Sequence, residues 1–394
     1  MRYLFTDLLI LCMTIASFGI KVNYKYEWKY ADYIWESNEQ KEDAINSGNY
    51  NRSMCLLFDV DKAKDGRIFI TASREMGHGA PATLATITDE IGPGGPLLRP
   101  YPDWSWHNSN CTCDGIVSVI RVQIRCNHLF ALDTGKIGPD QICNPKLLIF
   151  NLKDNTLVKT IYIPLDIASN ATGTGFLMES FVYLPCKCTH FLDKMIIFMS
   201  DIRGKGLVVY DSCAKSTCRV ESDYMIPTEN FASIGNQKFL FEGGILSTVT
   251  LYNELYFVTT PGMKIYKIKI KSLLKCPNKK LANELTKVAI KMPSDSGQIA
   301  SARHSIFYSD NNGNAILGTN VFKKSDANTV VLAQNDEKLQ GLGSLKVSSY
   351  WNKLIGLSNR YHLFVLGTVN INEINFRYYE MDLAKIQKKM DSMF

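Results

Sequence analysis

One pattern recurs six times along this 394-residue chain: a short apolar strand that ends in a polar or small residue, a turn, then a second strand. The copies begin at Ile68, Leu129, Ile196, Leu255, Ala315 and Leu354, and most of the steps between them are about sixty residues long, a period that marks a radial β-array. The expected pairings join 68–71 to 83–88, 129–133 to 146–152, 196–201 to 206–211, 255–259 to 264–270, 315–320 to 329–334 and 354–359 to 362–367. Six such units predict an all-β, six-bladed β-propeller in a single domain, in preference to a pair of β-sandwiches. The last step is short, so the final blade is either abbreviated or completed by the extended segment near the N-terminus, 21–33. Two short helices are expected outside the array. One spans 37–47, with Ser37 as cap and Gly48 as stop; the other spans 381–390, opened by Asp382.

The stretch from Gly94 to Trp106, Gly-Gly-Pro-Leu-Leu-Arg-Pro-Tyr-Pro-Asp-Trp-Ser-Trp, can be neither a helix nor a central strand, because its prolines withdraw N–H donors. It reads as a stiff connector between the first two blades. Residues 1–19 read as a secretory signal: Arg2 gives a basic start, Leu8 to Ala16 is apolar, and Ser17 and Gly19 are the small residues before a cut. The domain proper is then 20–394, and no later apolar stretch is long enough for a membrane helix. Eleven cysteines occur, one of them, Cys12, in the signal. The even number left suggests disulfides in an oxidising compartment. Cys111-x-Cys113 and Cys186-x-Cys188 also have the look of metal half-sites, but no pair of histidines stands at ligand spacing, so no metal is expected. Asn51, Asn110 and Asn170 begin Asn-x-Ser/Thr glycosylation sequons. The net charge of +6 is not gathered into a block, and nucleic-acid binding, which needs a clustered basic face, is not expected.

Signatures of common catalytic classes are missing: His-Glu-x-x-His, Gly-x-Ser-x-Gly and the phosphate-cradling Gly-x(4)-Gly-Lys-Ser/Thr. Asp59, Asp61 and Asp65 before Gly66 imitate a calcium loop with one carboxylate out of register, and are read as a polar hairpin turn. His128 and His304 lack a nucleophile at a recognisable spacing and are read as polar residues at strand edges. In a radial array the residues ending the first strands, Arg74, Asp133, Asp201, Thr259, Asn320 and Asn359, fall on one ring. Either that ring lines one mouth of the central channel, with Tyr361 and Phe257 as walls for a small polar or cationic ligand, or it only satisfies neighbouring backbone groups.

The stretch at 94–105 resembles the signature of the major royal jelly protein and yellow family of insects. So do Lys25-Tyr26-Glu27-Trp28-Lys29, Phe58-Asp59-Val60-Asp61, Cys113-Asp114-Gly115-Ile116-Val117-Ser118, Gly206-Leu207-Val208-Val209-Tyr210, Leu357-Ser358-Asn359-Arg360 and Asn375-Phe376-Arg377. The likeness spans the chain after the signal and is closer to the royal jelly branch than to the yellow branch. It implies a six-bladed propeller, secretion, glycosylation, no cofactor, and a non-catalytic glandular role, nutritive or of venom or saliva type. It also implies a disulfide between Cys113 and Cys143. Related salivary proteins bind biogenic amines at the channel mouth, and their contact residues fall on Ser344, Asn359 and Tyr361 here, with Arg360 adding bulk and positive charge where they carry a glycine. The expected partner is thus a small molecule, a biogenic amine or a lipid, with self-association left open. The alternatives are a yellow-type, dopachrome-converting enzyme and an amine scavenger.

Overall fold

A computed structural model describes residues 19–107, 113–185, 188–323 and 328–392. The signal-peptide reading falls almost wholly outside them, as do the sequon at Asn110 and the cysteines at 111 and 186. Six four-stranded antiparallel sheets follow one another along the chain, a six-bladed β-propeller as the repeat predicts. The first four blades begin at Leu56, Val119, Leu177 and Gly244; the fifth begins at Ile299 and the sixth at Leu342.

The sixth blade supplies only three strands of its own, Leu342–Ser348, Lys353–Ser358 and Phe376–Asp382. Its outer strand is Asn23–Trp28, which pairs antiparallel with Phe376–Asp382. Completion by the N-terminal segment, one of the two outcomes left open, is therefore the one adopted. Past Trp28 the chain crosses to the outer strand of the first blade, where Lys29 N donates to Gly94 O at 2.7 Å and Ile34 N to Leu98 O at 2.9 Å. Trp28 is fully buried and its Nε1 donates to Pro96 O at 2.7 Å. A Cβ on Gly94 would come within 2.5 Å of Tyr30 O, so only glycine permits this approach.

The Gly94–Trp106 stretch is thus not a free connector. Gly95–Pro100 is the outermost strand of the first blade, and Trp104–His107 is a short 3-10 helix. Proline is tolerated there because Pro96 and Pro100 fall in phase with Leu98, whose N–H faces outward to Asp32 O, so neither takes a donor from the ladder with the neighbouring strand of the blade. The stretch stays out of central strands, as its composition requires.

One pairing read from the sequence is corrected, and another, 315–320 with 329–334, forms as read but one strand further out in its blade than its equivalents. In the fifth blade the second strand is Ser305–Asp310, so 315–320 is the third strand and 329–334 the fourth. The blades are accordingly shorter toward the C-terminus, and the even period was partly produced by skipping one strand. In the sixth blade 362–367 is not a strand. Tyr361–Val365 is a helical turn, entered through a left-handed Arg360 (φ 43°), and the true partner of Lys353–Ser358 is Phe376–Asp382. Asn38–Asn46 forms the early helix, its Ser37 cap accepting from Gln40 N at 3.1 Å. The last helix is Leu383–Ser392, with Asp382 accepting from Lys385 N.

Three disulfides join described cysteines: Cys113 to Cys143, Cys126 to Cys188, and Cys218 to Cys276. The first is the pair implied by the family resemblance. The others tie the second blade to the loop within the third, and the third blade to the fourth. Cys113 and Cys188 are therefore not metal half-sites, and among the described residues no cluster of three or more metal-ligating side chains occurs. No described helix is long and apolar enough to cross a membrane.

Because ring closure depends on the N-terminal strand, Trp28→Ala should lower unfolding free energy by about 3–5 kcal/mol, the usual cost of emptying a large buried aromatic site. Urea unfolding followed by circular dichroism would measure it. A loss under 1 kcal/mol, a bound set by surface substitutions, would mean that the clasp is marginal.

Candidate functional site

The inner strands of neighbouring blades splay around the channel and do not pair with one another, so their main-chain groups need other partners. Side chains provide them. Asp59 accepts from Val122 N at 2.8 Å, and Asp61 from Ile124 N at 2.8 Å. Gln123 accepts from Val182 N at 2.6 Å, and Glu179 from Thr248 N at 2.7 Å. Asp59 and Asp61 are thus buried stitches between the first and second blades, and only Asp65 and Gly66 belong to a turn. The carboxylates draw cations into the hub. Lys346 bonds Asp59, and Arg121 lies 3.8 Å from Asp59 and donates to Gln298 at 2.8 Å.

The ring of strand-ending residues follows the second of the two readings. Asp133 accepts from Val117 N and Ser118 N, and Asp201 from Phe176 N, main-chain groups just before the inner strands of their blades. Arg74 donates to three main-chain carbonyls, those of Ala80, Pro81 and Val117. In the fifth blade the equivalent position is Ser309, accepting from Gly297 N and Gln298 N, because Asn320 ends the third strand instead. Thr259 is buried, and Phe257 packs between blades against Tyr266 rather than on the channel. Of the ring, Arg74 lines an outer groove with Trp35 and Trp104, and Asn359 reaches a cavity on the channel.

That cavity closes one mouth of the channel and holds about 510 Å³ of space, its opening included. Its walls are Phe58, Met178 and Leu246 from inner strands, and Ile234, Phe239, Phe241 and Tyr361 from above. The cover is a hairpin outside the blade plan, Phe231–Ile234 paired with Gln237–Leu240. Sequence reading missed it, although the Gly235-Asn236 dipeptide between two short runs holding Phe231, Ile234, Phe239 and Leu240 is a recognised hairpin signal. Gly235 N and Ser233 Oγ fasten it to Asn311 and Asn312.

Asn359 stands at the rim with 1% exposure. Its Nδ2 donates to Leu57 O at 3.2 Å, while its Oδ1 is buried with no hydrogen-bond partner. A Cβ on Gly343 would lie 2.4 Å from Phe58 O and 2.5 Å from Asn359 Nδ2, so glycine is required for this packing. Tyr361 packs edge-on to Phe58 and Phe241, and its hydroxyl donates to Glu75 at 3.3 Å. Burial and the Glu75 charge hold that phenol well above its usual range. Burial also pushes Glu75 up, and its Oε2 has no partner. Glu75 does not line the cavity; it faces an adjoining groove with Arg203 and Glu242.

The structure therefore brings Asn359 and Tyr361 together and leaves Ser344 apart. Ser344 is fully buried one residue beyond the wall, its Oγ 3.4 Å from Val60 O. Arg360 does not add charge to the cavity. Its Nη1 pairs with Glu373 at 3.0 Å, and it borders a separate groove. His304 stacks on exposed Tyr252, and His128 bonds Cys126 O, neither near this mouth. Asn51 is exposed and Asn170 partly so.

The chain was compared with known proteins. The family model described as major royal jelly protein matches residues 117–391. Major royal jelly protein 9 of Apis mellifera is 30% identical, over 93% of this chain and 90% of that protein. Major royal jelly protein 6 of the same species is 31% identical, over 94% and 91%. Among solved structures, a virginiamycin B lyase from Staphylococcus aureus matches at 10% identity with a TM-score of 0.42, over 84% of this chain and 96% of that one. A likeness that slight bears on nothing beyond the general shape.

Asp295 lies beneath the hairpin, accepts from Gly262 N at 2.9 Å and leaves Oδ2 buried without a partner. Burial raises its carboxyl to about 6. Its folded state thus favours the proton, so the stability it lends is full below the unfolded value near 4 and is lost as pH rises to about 6. Asp295→Asn should stabilise the protein at pH 7.5 by up to about 3 kcal/mol, and that gain should vanish between pH 6 and pH 4. Chemical denaturation across that range would test it; a gain independent of pH would refute it.

Proposed function

The chain belongs to the major royal jelly protein family, and on that premise we propose that it is a secreted, glycosylated, non-catalytic glandular protein whose propeller mouth binds a small, largely apolar ligand through Asn359 and Tyr361. The observation that carries the ligand reading is Asn359 Oδ1, a buried acceptor without a partner at the rim of an apolar cavity. An unpaired buried acceptor costs free energy that a ligand hydroxyl or N–H would recover. The aromatic and aliphatic walls supply the remaining affinity by burial. Disulfides support passage through an oxidising compartment. Asn51 and Asn170 are the described sequons a glycan would use.

A neutral ligand fits better than a cation. No carboxylate lines the cavity, so an ammonium group would lose its hydration without a counter-charge. One observation favours the amine reading: Glu75 lies behind Tyr361 with Oε2 unpaired. Calorimetric titration separates these readings. Long-chain alcohols should bind saturably, more tightly than serotonin or dopamine, and Asn359→Ala should weaken them roughly tenfold, the worth of one good hydrogen bond. Amines binding more tightly than alcohols, and losing that binding in Glu75→Gln, would replace this reading with the scavenger. Turnover of dopachrome, followed by its absorbance, would replace it with the enzyme.

A further inference from the structure

The other end of the channel holds a second cavity of different chemistry, about 730 Å³ with its opening included. Four charged side chains line it: Asp61 and Glu179, Arg125 and Lys346. Opposite charges there feel one another without touching. Lys346 and, more weakly, Arg125 act on Asp61, and Arg121 and then Lys346 act on Glu179; Lys346 and Arg121 lie within ion-pair distance of Asp59 instead, and among the described residues none of the four pairs does. Burial pushes both carboxyls up and the Arg125 guanidinium down. These are charges withdrawn from water and incompletely compensated.

The free capacity is mostly of one kind. Each Asp61 oxygen accepts a main-chain N–H, from Lys62 and Ile124. Both Glu179 oxygens are engaged by Thr248 and Ser247. By contrast, the recorded donation from Arg125 is one bond, to Ile124 O at 3.2 Å. Ser180 is 3% exposed and its Oγ has no partner. Gln123 spends its oxygen on Val182 N, which leaves its amide N–H groups to the cavity. Unspent donors of Arg125, Ser180 and Gln123 thus line the cavity together with two carboxylates. Phe181, Val249, Leu345 and Val347 complete an apolar wall.

We propose that this mouth is a binding site for a zwitterion, a free α-amino acid with an apolar side chain. Its carboxylate is received by Arg125, Ser180 and Gln123. Its ammonium is held by the field of Asp61 and Glu179, and its side chain lies on the apolar wall. A ligand carrying both charges compensates both halves of the lining at once. A simple anion would face two carboxylates, and a simple cation would leave the donors unpaired. The site is distinct from the apolar mouth and does not depend on what binds there.

The test is calorimetric titration of the whole protein with leucine, 4-methylpentanoate and isoamylamine. They share one alkyl group and carry both charges, the negative one, or the positive one. Leucine should bind at least roughly tenfold more tightly than either analogue, one hydrogen bond's worth of discrimination. Arg125→Gln and Ser180→Ala should each weaken leucine by a similar factor while preserving the circular dichroism spectrum. Asn359→Ala should leave leucine binding unchanged. Equal affinity for leucine and either analogue overturns the proposal, as does leucine binding that survives both Arg125→Gln and Ser180→Ala. Leucine binding lost in Asn359→Ala alone places the ligand at the apolar mouth and overturns it too. If Arg125→Gln fails to fold, Ser180→Ala, which removes only an unpaired hydroxyl, decides.

Discussion

Each blade of this propeller leaves its inner strand with an unpaired edge at the hub, and the fold depends on how those edges are satisfied. Asp59, Asp61, Gln123 and Glu179 do it by reaching across to the main chain of the next inner strand. A carboxylate suits this task because it accepts several N–H donors at once. Its cost is a buried charge, which must be offset by a cation. Lys346 and Arg121 supply that offset for Asp59. The central channel is consequently polar and largely occupied along its middle. Open space remains at the ends, and the two ends inherit different chemistry: apolar walls with amide groups at one, charges of both signs at the other.

Closure of the ring places a further demand on the chain. Strand Asn23–Trp28 completes the last blade, and the residues after it bind the outer strand of the first. Blades one and six are thus held together by a segment belonging wholly to neither. Gly94 and Gly95 exist in that outer strand because the crossing chain leaves no room for a Cβ. Trp28 fixes the crossing point through burial and its bond to Pro96. The disulfides act elsewhere, across the second, third and fourth blades, so covalent and non-covalent closure are distributed around the ring rather than concentrated at its seam.

Much of this was legible in the sequence. Strand-turn-strand repetition gave the blade number, because alternating apolar residues and turn chemistry are local properties. The errors have local causes as well. Ser305–Asp310 and Ala315–Asn320 are both short apolar strands around a sharp turn, and nothing local says which is second and which third. The segment 362–367 is apolar enough for a strand, but the chain enters it through the left-handed Arg360 and closes it with the helical bond from Leu366 N to His362 O, 3.0 Å. The polar ring stayed open between two readings for a different reason. Position in a repeat predicts which residues are equivalent, not what each one faces, and Asp133 and Asp201 face main-chain N–H groups. Ser344, Asn359 and Tyr361 are near neighbours in the fold, yet a strand's alternation turns Ser344 into the hub and away from the cavity.

The cavity at the apolar mouth is made by parts that the repeat does not encode. Its floor is blade: Phe58, Met178 and Leu246 lie on inner strands whose register the hub fixes. Its roof is the Phe231–Leu240 hairpin and the Tyr361 turn, both inserted between strands or blades. Such insertions can change length and composition without disturbing the ladders beneath them. The hub cannot change in that way, since removing Asp59 leaves Lys346 without its ion-pair partner and Val122 N without an acceptor. The shape of this cavity therefore rests on the inserted roof, while the carboxylate hub holds the floor in place. Asn359 is where the two meet: it follows a blade strand, anchors to Leu57 in the neighbouring blade, and keeps a buried, unpartnered Oδ1 at the rim of the cavity.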